Sequence, residues 1–258
     1  MLKIEKTVTA SPEQWEIIIE GMRNPMNSWE KMDSRFETDP DDGCDHYCGG
    51  CELFGKKGIL SPYGFYCNHI GENDHSLMMR LANGGPVHAK YRRMIPVWVT
   101  LTAPLYWWKE FDTYKVGTVA NSCSTMHKIQ AKEFTLEDFS IEHLVGEGCI
   151  PDHEEENPYD MMMRTINTLN YWRNAYLNAE KFKEETGLDS KDIWWQLIQL
   201  LPSSYNQKRT VMLNYEVLHN IYFSRKDHKL DAWHTFCDWI EELPYSEIII
   251  GEKEATNA

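Results

Sequence analysis

No stretch of this sequence approaches the ~20 consecutive apolar residues that a membrane-spanning helix needs, so no membrane association is expected. The opening residues, Met1 to Ala10, carry Lys3, Glu5 and Lys6 where a secretory leader requires an apolar centre, and a cytoplasmic location follows as the expectation. Basic residues are scarce as well: 26 Lys and Arg stand against 40 Asp and Glu, a formal net charge of -14. A polynucleotide is gripped by a broad basic face that displaces counterions from phosphates, so none is expected as a partner. A single mononucleotide needs only a local pocket of Arg, Lys or amide donors, and the charge balance leaves that open. Internal repeats and low-complexity tracts are missing. Aliphatic residues thin out from Asp39 to about Asn68, where Asp, Gly and Cys dominate; that stretch reads as a loop or a metal-stapled module.

The remainder can bury one substantial core, with 258 residues of which 42% are hydrophobic. Residues 1–258 are read as one domain with a Cys-rich insertion at 39–70. The ten Trp and thirteen Tyr suit core and interface positions, and secondarily flat walls for a stacked ring system. Leu2 to Thr9 alternate as a strand does, and Ser11-Pro12-Glu13-Gln14 starts a helix through Trp15, Ile18, Ile19 and Met22. Glu72 to Asn83 is predicted to be a helix closed by Gly84-Gly85, and Arg92 to Thr102 a strand in a covered sheet. Helical spacing then predicts Leu105 to Phe111, one long helix over Pro158 to Glu185, and another from Asp189 to Leu200 stopped by Pro202. A short strand at Thr210 to Leu213, a helix through Leu218 and Tyr222, and a last helix from Asp227 to Leu243 complete an α/β pattern.

Seven cysteines in a reducing compartment argue for metal binding or plain burial over disulfides. Cys44, Cys48, Cys51 and Cys67 offer four soft ligands with the spacing of a tetrahedral zinc site, and Gly49-Gly50 allows a tight turn. An iron-sulfur centre and unligated thiols are the other readings, with His46 and His69 as reserve ligands. Cys237, between Phe236 and Trp239, reads as core, whereas Cys123 reads as a buried or pocket-lining thiol or, on position alone, a nucleophile. The acidic run from Asp152 to Glu156 reads as a solvated loop and the Met161-Met162-Met163 triplet as adaptable packing.

Two blocks carry a more specific signal. The first runs Thr102-Ala103-Pro104 through Glu110 to Thr113-Tyr114-Lys115-Val116-Gly117-Thr118; the second contains Leu201-Pro202, Tyr205, Thr210-Val211, Asn214, Leu218, Asn220 and Arg225. In order and separation they resemble two segments of the flavin-dependent thymidylate synthase family, the first of which carries the signature Arg-His-Arg-x-x-Ser. The resemblance implies a small, mostly antiparallel sheet flanked by long helices, a homotetramer, and FAD and dUMP bound side by side. The activity it implies is methylation of dUMP to dTMP, with methylenetetrahydrofolate and NADPH as co-substrates.

Residue by residue, Arg225 matches the family's nucleotide-holding Arg, and a planar fork of donors suits a carbonyl or phosphate. The other reading of Arg225 is a surface partner for Asp227 or Asp231. Asn214 and Asn220 match flavin-contacting amides, Thr118 matches the signature Ser, and Thr113, Tyr114 and Lys115 occupy the basic triplet. Glu110 stands where a nucleotide-contacting Gln is found; with one inserted residue, Asn121, Ser124 and Met126 fall near an Asn, a Ser and an Arg. The family has a flavin-facing His before the strand; the gapless equivalent is Met94, and His88 takes that place only if its loop folds back. Two positively charged positions are therefore lost, for which Lys90, Arg92, Arg93 and Lys128 are candidate replacements. A nucleotide-binding or regulatory protein without synthase activity is the alternative expectation.

Overall fold

The computed structural model describes residues 2–39, 60–61, 64–146 and 157–251. Strand β1 is Lys3–Thr9, and α1, Pro12–Arg23, follows with the predicted start. Ser11 Oγ accepts the Gln14 amide at 3.3 Å while the Gln14 side chain accepts the Ser11 amide at 2.9 Å, which satisfies two otherwise orphaned donors. Trp15, Ile18, Ile19 and Met22 form its buried face, as their spacing requires.

Arg35–Asp39 is β2, Leu60–Ser61 β3 and Gly64–His69 β4, in a sheet ordered β2-β4-β3. The pairing is antiparallel, from Arg35 opposite His69 to Asp39 opposite Phe65. The margins of the Cys-rich stretch are thus strands rather than loop: Phe36, Thr38, Phe65 and Tyr66 favour extended backbone among neighbours that conceal it. Cys44, Cys48 and Cys51 lie outside the described residues, as does the acidic run, and the side chain of Cys67 is likewise not described.

Helix α2, Glu72–Asn83, ends at Gly84 as predicted. Residues Ala89–Met94 then form a 3-10 turn before β5, Pro96–Pro104. The predicted strand over Arg92 to Thr102 is displaced because the Arg92 side chain is anchored inside the turn and Pro96 forces Ile95 to be extended. Val97, Val99, Leu101 and Ala103 alternate into the core, whereas Trp98 is exposed, so β5 is covered mainly on one face.

Helix α3 is Leu105–Phe111 and β6 is Val119–Ser122, an exposed strand with no apolar signature. The long helix expected over Pro158 to Glu185 is two, α4 at Pro158–Leu177 and α5 at Ala179–Thr186. They part at Asn178, whose side chain donates to the Asn174 carbonyl at 2.8 Å and competes with the regular ladder. Asp189 caps α6, Ser190–Leu200. Strand β7, Asn206–Asn214, starts four residues before the predicted Thr210 because Asn206 to Arg209 are polar and only pairing reveals them. Tyr215–Arg225 is α7, Asp231–Glu241 is α8, four residues later at its start than expected, and Glu247–Ile250 is a short α9.

The main sheet runs β1-β5-β7-β6. β5 and β7 are antiparallel: Tyr215 N bonds Ile95 O, the Thr100 and Thr210 hydroxyls meet, and Leu105 N bonds Tyr205 O, one number rising as the other falls. Two compact units can be distinguished, and all four strands of this sheet contribute residues to both. The first comprises Met1–Glu5, Thr100–Thr113 and Ala120–Thr210; its α4 and α6 enclose Ile129, Phe134, Phe139, Met162, Leu169 and Leu197. The second comprises Lys6–Val99, Tyr114–Val119 and Val211–Ala258, with Trp15, Tyr215, Trp233 and Phe236 fully buried. Among the described residues no helix is long and apolar enough to cross a membrane.

Candidate functional site

Within the second unit the two sequence blocks meet on α7. Asn214 ends β7 and caps α7, its Oδ1 accepting the Val217 amide at 3.0 Å. Gly117 packs on that cap. A Cβ at Gly117 would lie 3.0 Å from Asn214 Nδ2 and 3.1 Å from Val217 Cγ2, and its φ of +80° is strained for any other residue. At the opposite end of α7, where the helix dipole favours a cation, Arg225 meets the same loop. Its Nε–H donates to the Tyr114 hydroxyl at 2.9 Å, and its guanidinium carbon lies 4.8 Å from the Trp233 ring centroid and 5.6 Å from that of Tyr114. Tyr114 to Thr118 thus reaches both ends of an eleven-residue helix.

The rest of α7 is committed to the fold. Glu216 pairs with Arg92 at 2.9 Å, and Arg92 also donates to the Ile248 carbonyl at 3.2 Å. Arg92 is 3% exposed, so this candidate replacement for the lost cations is a structural residue; Lys90, Arg93 and Lys128 are exposed. His219 bonds the Ile249 carbonyl through Nδ1 at 2.6 Å, and burial, with Arg92 nearby, holds its pKa below the ordinary imidazole value. Tyr222 donates to Glu241 at 2.8 Å. Asn220 is exposed and Arg225 half-buried. Lys115 is exposed, and the Thr118 hydroxyl is buried with no hydrogen-bond partner among the described residues. Arg225 thus lies beside two aromatic rings, Tyr114 and Trp233.

Several predicted residues have local tasks instead. Thr113 closes α3, its hydroxyl donating to the Glu110 carbonyl at 2.7 Å, and Glu110 is half-buried. The Ser124 hydroxyl accepts the His127 amide at 2.9 Å, while Asn121 is exposed on β6. His88 lies over Gly84, at 3.2 Å from the position a Cβ there would take. Cys123, the residue after the exposed strand β6, is exposed, which removes the buried half of its reading; Cys237 is core as expected.

Two contributors escaped the sequence reading. Trp233 belongs to α8, outside both blocks, and nothing in its spacing links it to Arg225. Arg209, inside the second block, lies 4.3 Å over the Trp108 ring, donates to Asp112 at 2.7 Å and to Gln207 at 2.9 Å, and so braces β7 against α3 in the first unit. Its place in a polar strand gave no cue beyond composition.

With β5 entering a helix at Pro104 and a capped strand-to-helix turn at Asn214 under a glycine loop, the chain has the fold of flavin-dependent thymidylate synthase. Thymidylate synthase X from Helicobacter pylori with FAD and dUMP superposes with a TM-score of 0.55 at 12% identity, covering 97% of this chain and 96% of that one. A second structure of the same enzyme, also with FAD and dUMP, gives 0.51 at 12% identity with 97% of both chains covered. A UMP/dUMP methylase from Streptomyces cacaoi aligns more loosely, at 0.45 and 11% identity over 95% of this chain and 92% of that one. No family model matches the sequence, and no curated protein matches it. The small-sheet, long-helix α/β architecture expected from the two blocks is therefore the architecture of the chain.

Proposed function

We propose that this chain is a flavin-dependent enzyme that modifies the uracil ring of dUMP. The reaction put forward is methylation to dTMP, with methylenetetrahydrofolate and NADPH as co-substrates. The observation that carries the reading is the meeting of the two blocks: Gly117 on the Asn214 cap and Tyr114 on Arg225, at the two ends of α7. The donors suit a flavin and a nucleotide. Thr118 has a buried hydroxyl with unmet capacity, Asn214 uses Oδ1 for capping and keeps Nδ2, and Asn220 is exposed beside them in sequence. In this proposal Asn214 and Asn220 contact the flavin, Lys115 meets a phosphate, Arg225 holds the nucleotide, and Thr118 and Arg225 are the catalytic residues. A bound flavin supplies the hydride; the chain's own work is to orient the two ring systems and neutralise their phosphates.

FAD-supplemented expression, followed by flavin absorbance and a dUMP titration, tests the reading; absence of both flavin and dUMP affinity would overturn it. The Thr113-Tyr114-Lys115 sequence, with Lys115 as its single cation, favours a second reading in which the scaffold binds nucleotide without chemistry at C5. The exposed Met161, Tyr171 and Leu177 of α4, with Trp195 and Leu200 of α6, fit burial in a homotetramer. For Cys44, Cys48, Cys51 and Cys67 the proposal is one structural zinc, and metal analysis of chelator-free protein should find about one ion per chain.

A further inference from the structure

Within the second unit, the short helix α9 is held by ionisable side chains from three other elements. It buries Ile248 and Ile249 almost completely. Its Glu247 carboxylate meets His75 Nε2 of α2 at 2.8 Å. The Ile248 carbonyl accepts from Arg92 Nη1 at 3.2 Å, and the Ile249 carbonyl from His219 Nδ1 of α7 at 2.6 Å. A carbonyl can only accept, so Nδ1 carries the proton and a second proton would enter at Nε2. Just ahead of α9, Tyr245 takes a φ of +53°, left-handed backbone that a residue with a Cβ adopts under constraint. Its hydroxyl accepts the Ile70 amide at 3.1 Å, and the Pro244 carbonyl accepts the Tyr215 hydroxyl at 2.5 Å.

The charges around His219 balance while its ring is neutral. Arg92 faces it from the 3-10 turn, and Glu216, on α7 itself, is already paired with Arg92 at 2.9 Å. The imidazole meets the Phe223 ring with centroids 4.7 Å apart, and Lys226 lies over that ring, 5.6 Å from its centroid. The one carboxylate of α9, Glu247, is engaged by His75. Tyr91 of the turn and Tyr215 of α7 stay neutral, since burial pushes both phenols up. A proton on His219 would set a second cation beside one carboxylate in a half-buried place; burial first, and Arg92 after it, hold its pKa below the ordinary imidazole value.

We propose that His219 is a proton-operated latch for the C-terminal segment: its neutral ring docks α9 on α7, and its protonation releases α9 together with the turn at Tyr245. On release the charged imidazole returns to water, the Arg92 bond to Ile248 is lost, and the backbone at Tyr245 relaxes. His75 opposes the release, because a proton there adds an ion pair with Glu247. An imidazole whose folded pKa is depressed contributes docking stability that is complete above its unfolded value and is lost as pH falls through the folded one. The latch needs no ligand, so it stands or falls separately from the proposed dUMP and flavin chemistry.

The test is hydrogen–deuterium exchange of residues 245–250 in the full chain between about pH 7.5 and 5.5, corrected for the intrinsic pH dependence of exchange. Asp74, whose carboxyl is held low, remains ionised across that range. In the wild type, protection of this segment should fall several-fold more on acidification than that of α8. His219→Asn keeps an N–H donor at the same branch and does not titrate, so its segment should be equally protected at both ends of the range. The His219 Cε1–H resonance of the wild type should titrate at the midpoint of the exchange change, and this decides the matter alone if the variant fails to fold. Protection that ignores pH in the wild type, an acid loss that persists in His219→Asn, or exchange that does not follow the His219 titration each overturns the proposal.

Discussion

Arg225 and Gly117 are the residues on which the site turns. Arg225 sits at the end of α7 where the helix dipole favours a cation, and two rings restrict its guanidinium before any ligand arrives. Arg225→Ala is expected to weaken dUMP binding by about 1.5–3 kcal/mol, the range for a charged hydrogen bond, measured by isothermal titration. An unchanged affinity would remove Arg225 from the site. Gly117 is constrained twice, by a φ of +80° and by Asn214 Nδ2 at 3.0 Å from any added Cβ. Gly117→Ala should therefore cost about 1–2 kcal/mol of stability and also lower flavin content, because the loop must lift from the Asn214 cap. Thermal melts with flavin absorbance on the same samples check both. At this scale the sequence was legible wherever one residue type does one job: the Ser11 cap, the Asn214 position and the buried Cys237. It was illegible for Trp233 and for Arg92. Pairing with Glu216 decides the fate of Arg92, and no local pattern shows a partner 124 positions away.

At the scale of elements, one buried carboxylate ties the end of α1 and the segment before β2 to α2. Asp74, fully buried in α2, accepts from Arg23 Nε at 2.5 Å, from the Asp33 and Ser34 amides at 3.0 and 2.9 Å, and from the Ser34 hydroxyl at 2.6 Å. Asp33 in turn accepts the Asn73 and Asp74 amides and so closes the start of α2. Burial pushes the Asp74 carboxyl upward, but Ser34, the Asp33 and Ser34 amides and Arg23 outweigh it and hold the pKa below its ordinary 3.8. A depressed carboxylate contributes stability that is complete above its unfolded value and is lost as pH falls through the folded one. The second unit should accordingly lose stability on acidification below about pH 4, and Asp74→Asn should flatten that dependence while costing about 3–5 kcal/mol at neutral pH. Chemical denaturation across pH is the measurement; an identical pH profile in the variant would contradict the assignment. Elements were readable where apolar period and cap agree, as in α1, α2 and α6. They were misread where pairing or a single side chain decides, as in polar β7, exposed β6, and the break at Asn178.

For the whole molecule, a net charge of -14 coexists with a proposed site for anionic ligands because that site needs few cations, concentrated by geometry. Common architecture at 12% identity shows how little of a fold its residue identities retain. Chemistry is a stricter demand, since a hydrogen-bond donor cannot be exchanged as freely as one core aliphatic for another. The proposed homotetramer, which would bury exposed apolar residues of α4 and α6, should give about four times the chain mass by light scattering, and a stable monomer would contradict it. The most direct test of the central claim is release of tritium from dUMP labelled at C5, by FAD-loaded protein given reductant and a one-carbon donor. Release should depend on FAD and fall sharply in Arg225→Ala; dUMP binding without any release would contradict the enzymatic reading and leave a nucleotide-binding scaffold.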